Sequence, residues 1–221
     1  MVNGNPIIEG FIEAVELIIA LDPQVVEITI RSLYISLTAT FFAALIALPL
    51  GALIYFYDFR GKHAVVSTLQ TLYALPTVIV GLIVFLMLSN IGPFGFLRLL
   101  YTPGGMIVAQ TVLIIPLLMG LTISALSGID RDKRYTITAL GASRFQTVLT
   151  IIAEARFAVM AGFGRAIAEV GTVMIVGGNI RGATRVLTTA IALNTSMANY
   201  SLSIALGIIL LAVALGVNIA L

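Results

Sequence analysis

The sequence predicts an all-α membrane protein that crosses the bilayer several times, and its composition and apolar runs are the observations behind this prediction. Of the 221 residues, 60% are hydrophobic and only 10% are charged, with a mean hydropathy of +1.11. Because soluble domains typically contain about 25% charged residues, lipid must be the main solvent of this chain. The apolar runs are long and do not alternate, which favours helices over a transmembrane barrel.

Composition also argues against several other classes of protein. The chain has no cysteine, so disulfides and thiolate metal sites are excluded. Its single histidine, His63, lies in a charged loop at 58–63, and no metal site is predicted. A net charge of +2 is too small to indicate nucleic acid. The predicted spans hold no paired carboxylates, Ser-His pair or His cluster, so we predict that the chain is not an enzyme. The first residues lack the basic start of a cleavable signal peptide.

The first element is a short apolar segment at 7–21. Its acidic residues Glu9, Glu13 and Glu16 fall on one helical face. A helix of this length reaches about 22 Å, less than a hydrocarbon core of about 30 Å. We predict an amphipathic helix lying at the membrane interface. A helix packed against the bundle, with a solvated acidic face, fits the pattern equally well.

Five membrane spans follow in the sequence. We predict them at 33–57, 64–88, 106–126, 157–178 and 200–221. A loop rich in Gly and Pro precedes the third span, and a polar return loop at 179–199 precedes the fifth.

Each of the first three spans contains a proline, namely Pro49, Pro76 and Pro116. Such prolines indicate either bent or broken helices lining a path, or ordinary packing in a bundle. The pattern leaves both interpretations open.

A charged segment at 127–156 separates the third and fourth spans. At about thirty residues it is large for a connector. The pattern predicts two short helices joined by a turn at Gly141-Ala142-Ser143, with Ser143 capping the second helix. We interpret it as a docking surface for a soluble partner, and an interfacial helix on the lipid is the alternative.

The fourth span carries Arg165 and Glu169 four residues apart, on one face of a helix. A charge inside the bilayer costs a few kcal/mol, so this face must point into the bundle or a watery cavity. Either the pair is structural and fixes the helix, or Arg165 attracts an anion in a transport path. Gly164 and Gly171 also share a face, which suits close approach of another helix.

The distribution of Lys and Arg predicts the orientation of the chain. Placing 127–156 inside gives seven basic residues in inside loops and four outside, the outer four being Arg31, Arg98, Arg181 and Arg185. The amino terminus is then outside and the carboxyl terminus in the cytoplasm.

The segment at 127–156 resembles a loop of a known protein family. Permease subunits of binding-protein-dependent ABC importers carry a cytoplasmic loop of the form Glu-Ala-Ala, three residues, Gly, nine residues, Ile-x-Leu-Pro. Gly141 and Ile151 take the glycine and isoleucine places. Tyr135-Thr136-Ile137 stands where Glu-Ala-Ala would be, and Ala153-Glu154 replaces Leu-Pro.

Three other segments extend the resemblance over the chain from about residue 28. The run at 163–171 resembles the Arg-x-x-x-Glu-Phe/Val-Gly segment of molybdate, tungstate and sulfate permeases. The runs at 74–82 and 176–191 most resemble the tungstate branch.

The resemblance implies a single transmembrane domain over 1–221, of the type I ABC importer permease fold, that carries an oxyanion. Tungstate is favoured and molybdate is the second choice. The residues implied to couple the chain to an ATP-hydrolysing subunit are Leu140, Gly141, Ala142, Ser143, Arg144 and Phe145. We assign the translocation path to Pro76, Thr77, Arg165, Glu169 and Asn179, and docking of a binding protein to Arg181 and Arg185.

The implied partners are a second copy of the chain, two ATP-binding-cassette subunits, an extracellular substrate-binding protein and membrane lipid. The sequence has no Walker A motif, so ATP and Mg are expected only in the partner subunit and no cofactor here. Alternatives are an ABC permease for another small solute, or an ATP-independent secondary transporter. The secondary transporter should show internal repeats and interrupted helices at matching places in two halves.

Overall fold

The computed structural model describes residues 6–127 and 156–219. Within these two ranges the chain is helical and forms no strand, which confirms the predicted all-α class. The nine α-helices of the described ranges are α1 (Pro6–Ile19), α2 (Pro23–Phe56), α3 (Lys62–Tyr73), α4 (Thr77–Leu88), α5 (Pro103–Ser127), α6 (Arg156–Ile167), α7 (Gly171–Gly177), α8 (Leu187–Ser196) and α9 (Tyr200–Ile219). A short 3₁₀ turn, Gly95–Leu97, lies between α4 and α5.

Three helices in the described ranges are individually long and apolar enough to cross a membrane: α2, α5 and the Tyr200–Val217 part of α9. Two further candidate spans are each formed by a pair of shorter helices with a bend between them. The axes of α3 and α4 differ by 96°, and those of α6 and α7 by 58°. The predicted count of five spans is reached when each bent pair is taken as one span.

The two bent pairs are interrupted helices. The predicted span at 64–88 breaks before Pro76, whose ring removes a backbone donor and disfavours helix at the preceding residue. The predicted span at 157–178 breaks at 168–170, where no proline occurs. Pro49 and Pro116, in contrast, lie inside the continuous helices α2 and α5. The helix is therefore broken at Pro76 and continuous through Pro49 and Pro116, and the lining of a path by these helices stays a prediction.

The prediction of a polar return loop at 179–199 is wrong for half of its length, because α8 occupies Leu187–Ser196. Leu187 and Ala190 on this helix pack against Val25 and Ile28 of α2. The polar side chains are accommodated because they bond to backbone carbonyls, as Asn194 Nδ2 does by donating to Ala190 O.

The centre of the bundle is the long contact between α2 and α5. The α2 residues on this contact are small, including Ala39, Ala43 and Ala47, all completely buried. A Cβ added to Gly51 would lie 3.0 Å from Thr122 Cβ of α5. Small residues let two helices approach closely, which is how helices associate when lipid rather than water surrounds them.

The amino-terminal helix α1 packs against α9. Its Ala14 is fully buried, Gly10 faces Tyr200, and Glu13 accepts a hydrogen bond from Ser201 Oγ. These contacts match the packed alternative raised for 7–21, and the interfacial position of this helix stays a prediction.

Apart from Arg165 of α6, the basic residues of the described ranges lie at two opposite ends of the bundle. Arg31 donates to the carbonyls of Gly182 and Arg185, and the backbone N–H of Tyr101 in the neighbouring loop donates to Val176 O. We call the end that holds Arg31, Arg98, Arg181 and Arg185 the arginine end. The opposite end is named the Lys62 end, after the lysine that bonds Asp58 and Tyr55 O next to the carboxyl terminus of α2.

Candidate functional site

The two helix breaks meet inside the bundle. Thr172 in the first turn of α7 donates from Oγ1 to the carbonyl of Thr77, the first residue of α4, at 2.8 Å. Glycines make this approach feasible. A Cβ on Gly171 would lie 2.9 Å from Thr77 Oγ1, and a Cβ on Gly81 would lie 2.9 Å from Thr172 Cα. The predicted close approach of another helix is therefore present at Gly171, whereas Gly164 has open space around it.

An ion pair bridges the break between α6 and α7. Arg165 NH1 lies 2.6 Å from Glu169 Oε2, and the other carboxylate oxygen accepts the backbone N–H of Thr172 at 3.0 Å. The Glu169 side chain is 2% exposed and the Arg165 side chain is 38% exposed. The negative charge is therefore buried and bonded within the fold, while the guanidinium keeps other N–H donors facing outward. We call Pro76, Thr77, Arg165, Glu169 and Thr172 the helix-break cluster.

The prediction that Arg165 and Glu169 lie on one continuous helix is wrong, because α6 ends at Ile167. The pair still forms because the backbone keeps turning through the break. Ala168 N–H donates to Gly164 O, and Glu169 N–H donates to Ala166 O. The last turn thus holds the two side chains together although regular helix has ended.

Two residues that stabilise this break are not among the predicted site residues. Gln110 of α5 is 2% exposed, and its Nε2 donates to Ala166 O at 2.9 Å. Thr188 Oγ1 of α8 donates to Glu169 O at 2.6 Å. Carbonyls released at a break inside a membrane need such partners. The only signal in the sequence was Gln110 itself, an amide within a long apolar span.

Asn179 does not join the helix-break cluster. It follows α7 at its far end, in a left-handed backbone conformation with φ of 53°, and its Nδ2 donates to Thr189 O at 3.3 Å. The structure therefore brings together Pro76, Thr77, Arg165 and Glu169 among the predicted path residues. Asn179 is placed at the arginine end.

The two arginines predicted to dock a binding protein differ in their surroundings. Arg181 is exposed. Arg185 is partly buried, and its NH2 donates to Asn179 O at 3.4 Å while its own carbonyl accepts from Arg31. Arg181 is therefore available to a partner, whereas Arg185 contributes to the local fold.

A cavity of about 700 Å³ also opens at the arginine end. Its lining consists of Phe85, Leu88, Ser89, Asn90, Arg98, Leu100 and Tyr101. The Tyr101 ring meets Phe85 edge-on and lies against Gly178, where a Cβ would be 2.8 Å from the ring. This cavity lies between the carboxyl-terminal part of α4 and the loop before α5.

The predicted coupling residues at 140–145 lie outside the described residues. Within 6–127 and 156–219, no group of three or more His, Asp and Glu residues is arranged to hold a metal ion.

Comparison with known proteins connects this arrangement to a family. Residues 43–221 match the family described as the inner membrane component of binding-protein-dependent transport systems. The chain is 45% identical to the tungstate uptake system permease protein TupB of Peptoclostridium acidaminophilum, over 96% of this chain and 95% of that one. It is 44% identical to a probable anion ABC transporter permease protein of Haloferax volcanii, over 87% of each chain.

A second tungstate uptake permease, TupB of Campylobacter jejuni, is 35% identical over 96% of this chain and 90% of its own length. Matches at this identity and coverage confirm the resemblance seen in the sequence. The helical bundle and the interrupted spans belong to a membrane transport subunit, and the chain is a member of the family of inner membrane components of binding-protein-dependent transport systems.

Proposed function

We propose that this chain is the membrane subunit of an ATP-driven importer that carries a tetrahedral oxyanion, with tungstate favoured over molybdate. The similarity to two tungstate uptake permeases over nearly the whole chain carries the proposal. The chemistry of the helix-break cluster supports it. A part-exposed guanidinium inside an apolar bundle attracts an anion, and an intramembrane charge is a functional candidate by default.

The ion pair tunes how strongly an anion is held. The buried carboxylate of Glu169, whose Oε2 lies 2.6 Å from Arg165 NH1, partly neutralises the single positive charge of the guanidinium. A passing dianion therefore meets a group that attracts it only moderately. A transport path needs binding weak enough for release. Pro76, Thr77 and Asn179 complete the proposed path. Selection among anions belongs to the substrate-binding protein.

The proposed assembly contains two copies of this chain, two ATP-binding-cassette subunits with ATP and Mg, and one extracellular binding protein. Residues Leu140 to Phe145 contact the ATP-binding subunits from the cytoplasmic side. Arg181 and Arg185 at the arginine end, facing outside, receive the binding protein. ATP and the binding protein must favour different states of the bundle, since otherwise the two ligands are not coupled.

Co-purification from native membranes tests the assembly. We expect a stoichiometric ATP-binding-cassette subunit to purify with the chain. The variant Arg144→Glu should lose it, because the substitution reverses a charge in the coupling segment. Arg60→Glu, in the predicted cytoplasmic loop at 58–63, is the matched control and should retain it.

A secondary transporter is the second candidate, and the interrupted pairs α3–α4 and α6–α7 are the observation that favours it. A purified chain without any ATPase subunit, active in a vesicle under an ion gradient alone, would establish that candidate instead.

Calorimetry on the partner binding protein with tungstate, molybdate and sulfate identifies the transported anion.

A further inference from the structure

The helix α3 carries an exposed polar face. Leu69, 8% exposed, and the partly buried Lys62 and Val66 form the strip that contacts the bundle. On the opposite side lie the exposed polar residues Ser67, Thr68, Gln70 and Thr71, flanked by the exposed apolar residues Val65 and Leu72. At 100° per residue these four cover an arc of about 160°. We call them the α3 polar face.

The middle of α3 lies at a depth where lipid would be expected. Leu69 packs in one cluster with Ala47 of α2 and Leu118 of α5. Each of these lies nine residues before the end of its helix, Phe56 and Ser127 respectively, which is about 13 Å along the axis. The α2 helix ends at Phe56, and Tyr55, Phe56 and Tyr57 around this end are aromatic residues of the kind that mark a membrane interface. The α3 polar face is therefore embedded in the inner half of the bundle.

Contact with lipid would be energetically unfavourable for the α3 polar face. No hydrogen bond joins the side chain of Gln70 to any residue that the structure describes. Placing an unpaired amide in hydrocarbon costs roughly several kcal/mol of free energy. The adjoining α4 shows the opposite pattern. Its exposed residues include Val78, Ile79, Leu82, Ile83 and Leu86, all apolar. The same interrupted span thus exposes apolar residues along α4, whereas α3 exposes four adjacent polar residues between Val65 and Leu72.

We infer that the α3 polar face lines the water-filled inner half of the oxyanion path, between the helix-break cluster and the Lys62 end. This inference rests on the proposed function. Continuity of the chain supports it, because α3 ends just before Pro76 and Thr77 of the cluster. Hydroxyl and amide donors without a fixed charge suit this stretch, since they solvate a departing dianion without trapping it.

Cysteine accessibility tests this placement directly, because the chain has no native cysteine. Single substitutions Ser67→Cys and Gln70→Cys are compared with Leu82→Cys and Ile83→Cys on α4. Each is made in the complete transporter in inside-out vesicles and treated with a charged, membrane-impermeant thiol reagent. We expect modification at residues 67 and 70 to be at least about ten-fold faster than at 82 and 83, because the reagent needs water to reach a thiolate. The cysteine-free parent gives the background.

Two results overturn the inference. Equal rates on α3 and α4 mean that lipid covers both. An oxidant-induced disulfide dimer at Gln70→Cys, combined with resistance to the reagent, means that the second copy of the chain covers this face.

Transport provides the second readout. Gln70→Leu should lower oxyanion uptake by about five-fold or more, because it replaces a donor by an apolar group of similar size in the path. Gln70→Asn should retain most of the uptake, and Leu82→Met on α4 is the matched control with unchanged uptake. Unchanged uptake in Gln70→Leu contradicts the inference. Absence of any ATP-driven oxyanion uptake by the unaltered transporter instead contradicts the proposed function, so the two failures are distinguishable.

Discussion

Glu169 is the one charged residue that is buried among those the structure describes, and its partners explain how the fold tolerates it. The carboxylate is held by Arg165 at 2.6 Å and by the N–H of Thr172 at 3.0 Å. Its backbone carbonyl is bonded by Thr188. A buried charge that loses its partner is strongly destabilising, so Arg165 serves the fold as well as the proposed path.

The two roles of Arg165 can be separated by a pair of variants. Arg165→Ala leaves a buried unpaired carboxylate and should lower the free energy of unfolding by about 3 kcal/mol, with loss of oxyanion uptake. The double variant Arg165→Ala/Glu169→Gln removes that carboxylate charge while keeping an acceptor for Thr172. It should recover most of the thermal unfolding temperature in detergent but none of the uptake. Recovery of both would show that the pair is structural only.

At the scale of elements, the interrupted helices decide the geometry of the site, and the sequence left open whether any of the three prolines breaks a helix. Pro76 marks a real break, yet Pro49 and Pro116 look equivalent in the sequence and lie inside continuous helices. The break at 168–170 has no proline. Its free carbonyls are satisfied by Gln110 of α5 and by α8, partners from distant parts of the chain that local pattern cannot reveal.

The crossing of α4 and α7 should depend on glycine at position 81. Gly81→Ala puts a Cβ 2.9 Å from Thr172 Cα, a backbone atom that cannot move aside alone. We expect a loss of about 1–3 kcal/mol in stability, measured as a lower thermal unfolding temperature, together with reduced uptake. Gly207→Ala in α9 is the control, since nothing lies within 4 Å of the added atom and alanine favours helix. An equal effect of both substitutions would contradict the tight crossing.

At the scale of the whole molecule, the bundle has two opposite ends, which the proposed assembly assigns to two different partners. The arginine end carries Arg31, Arg98, Arg181 and Arg185, and the predicted coupling segment at 127–156 follows α5 at the Lys62 end. The class of the protein and its all-α fold followed from composition and apolar runs. Asn179 lies at the arginine end, where its Nδ2 donates to Thr189 O of α8, a contact that the local sequence pattern does not reveal. Its assignment to the path stays a prediction.

Charge reversal at the arginine end should weaken docking of the binding protein. Arg181→Glu replaces an exposed arginine by a carboxylate, and we expect about a ten-fold lower affinity for the binding protein. The difference from the unaltered chain should become smaller at high salt, because salt screens exposed charges. Arg185→Glu should also lower stability, because the arginine bonds Asn179 O within the fold. Affinity is measured by surface plasmon resonance on the transporter in lipid nanodiscs. Arg60→Glu at the opposite end is the control, and an equal effect there would refute docking at the arginine end.

Uptake into proteoliposomes tests the central claim most directly. The purified chain is reconstituted with its ATP-binding-cassette subunit, and tungstate accumulation is measured with the binding protein and ATP, and with each omitted in turn. The account predicts accumulation only when the ATPase subunit, ATP and the binding protein are all present. Accumulation by the chain alone, without ATP or any partner, would contradict it.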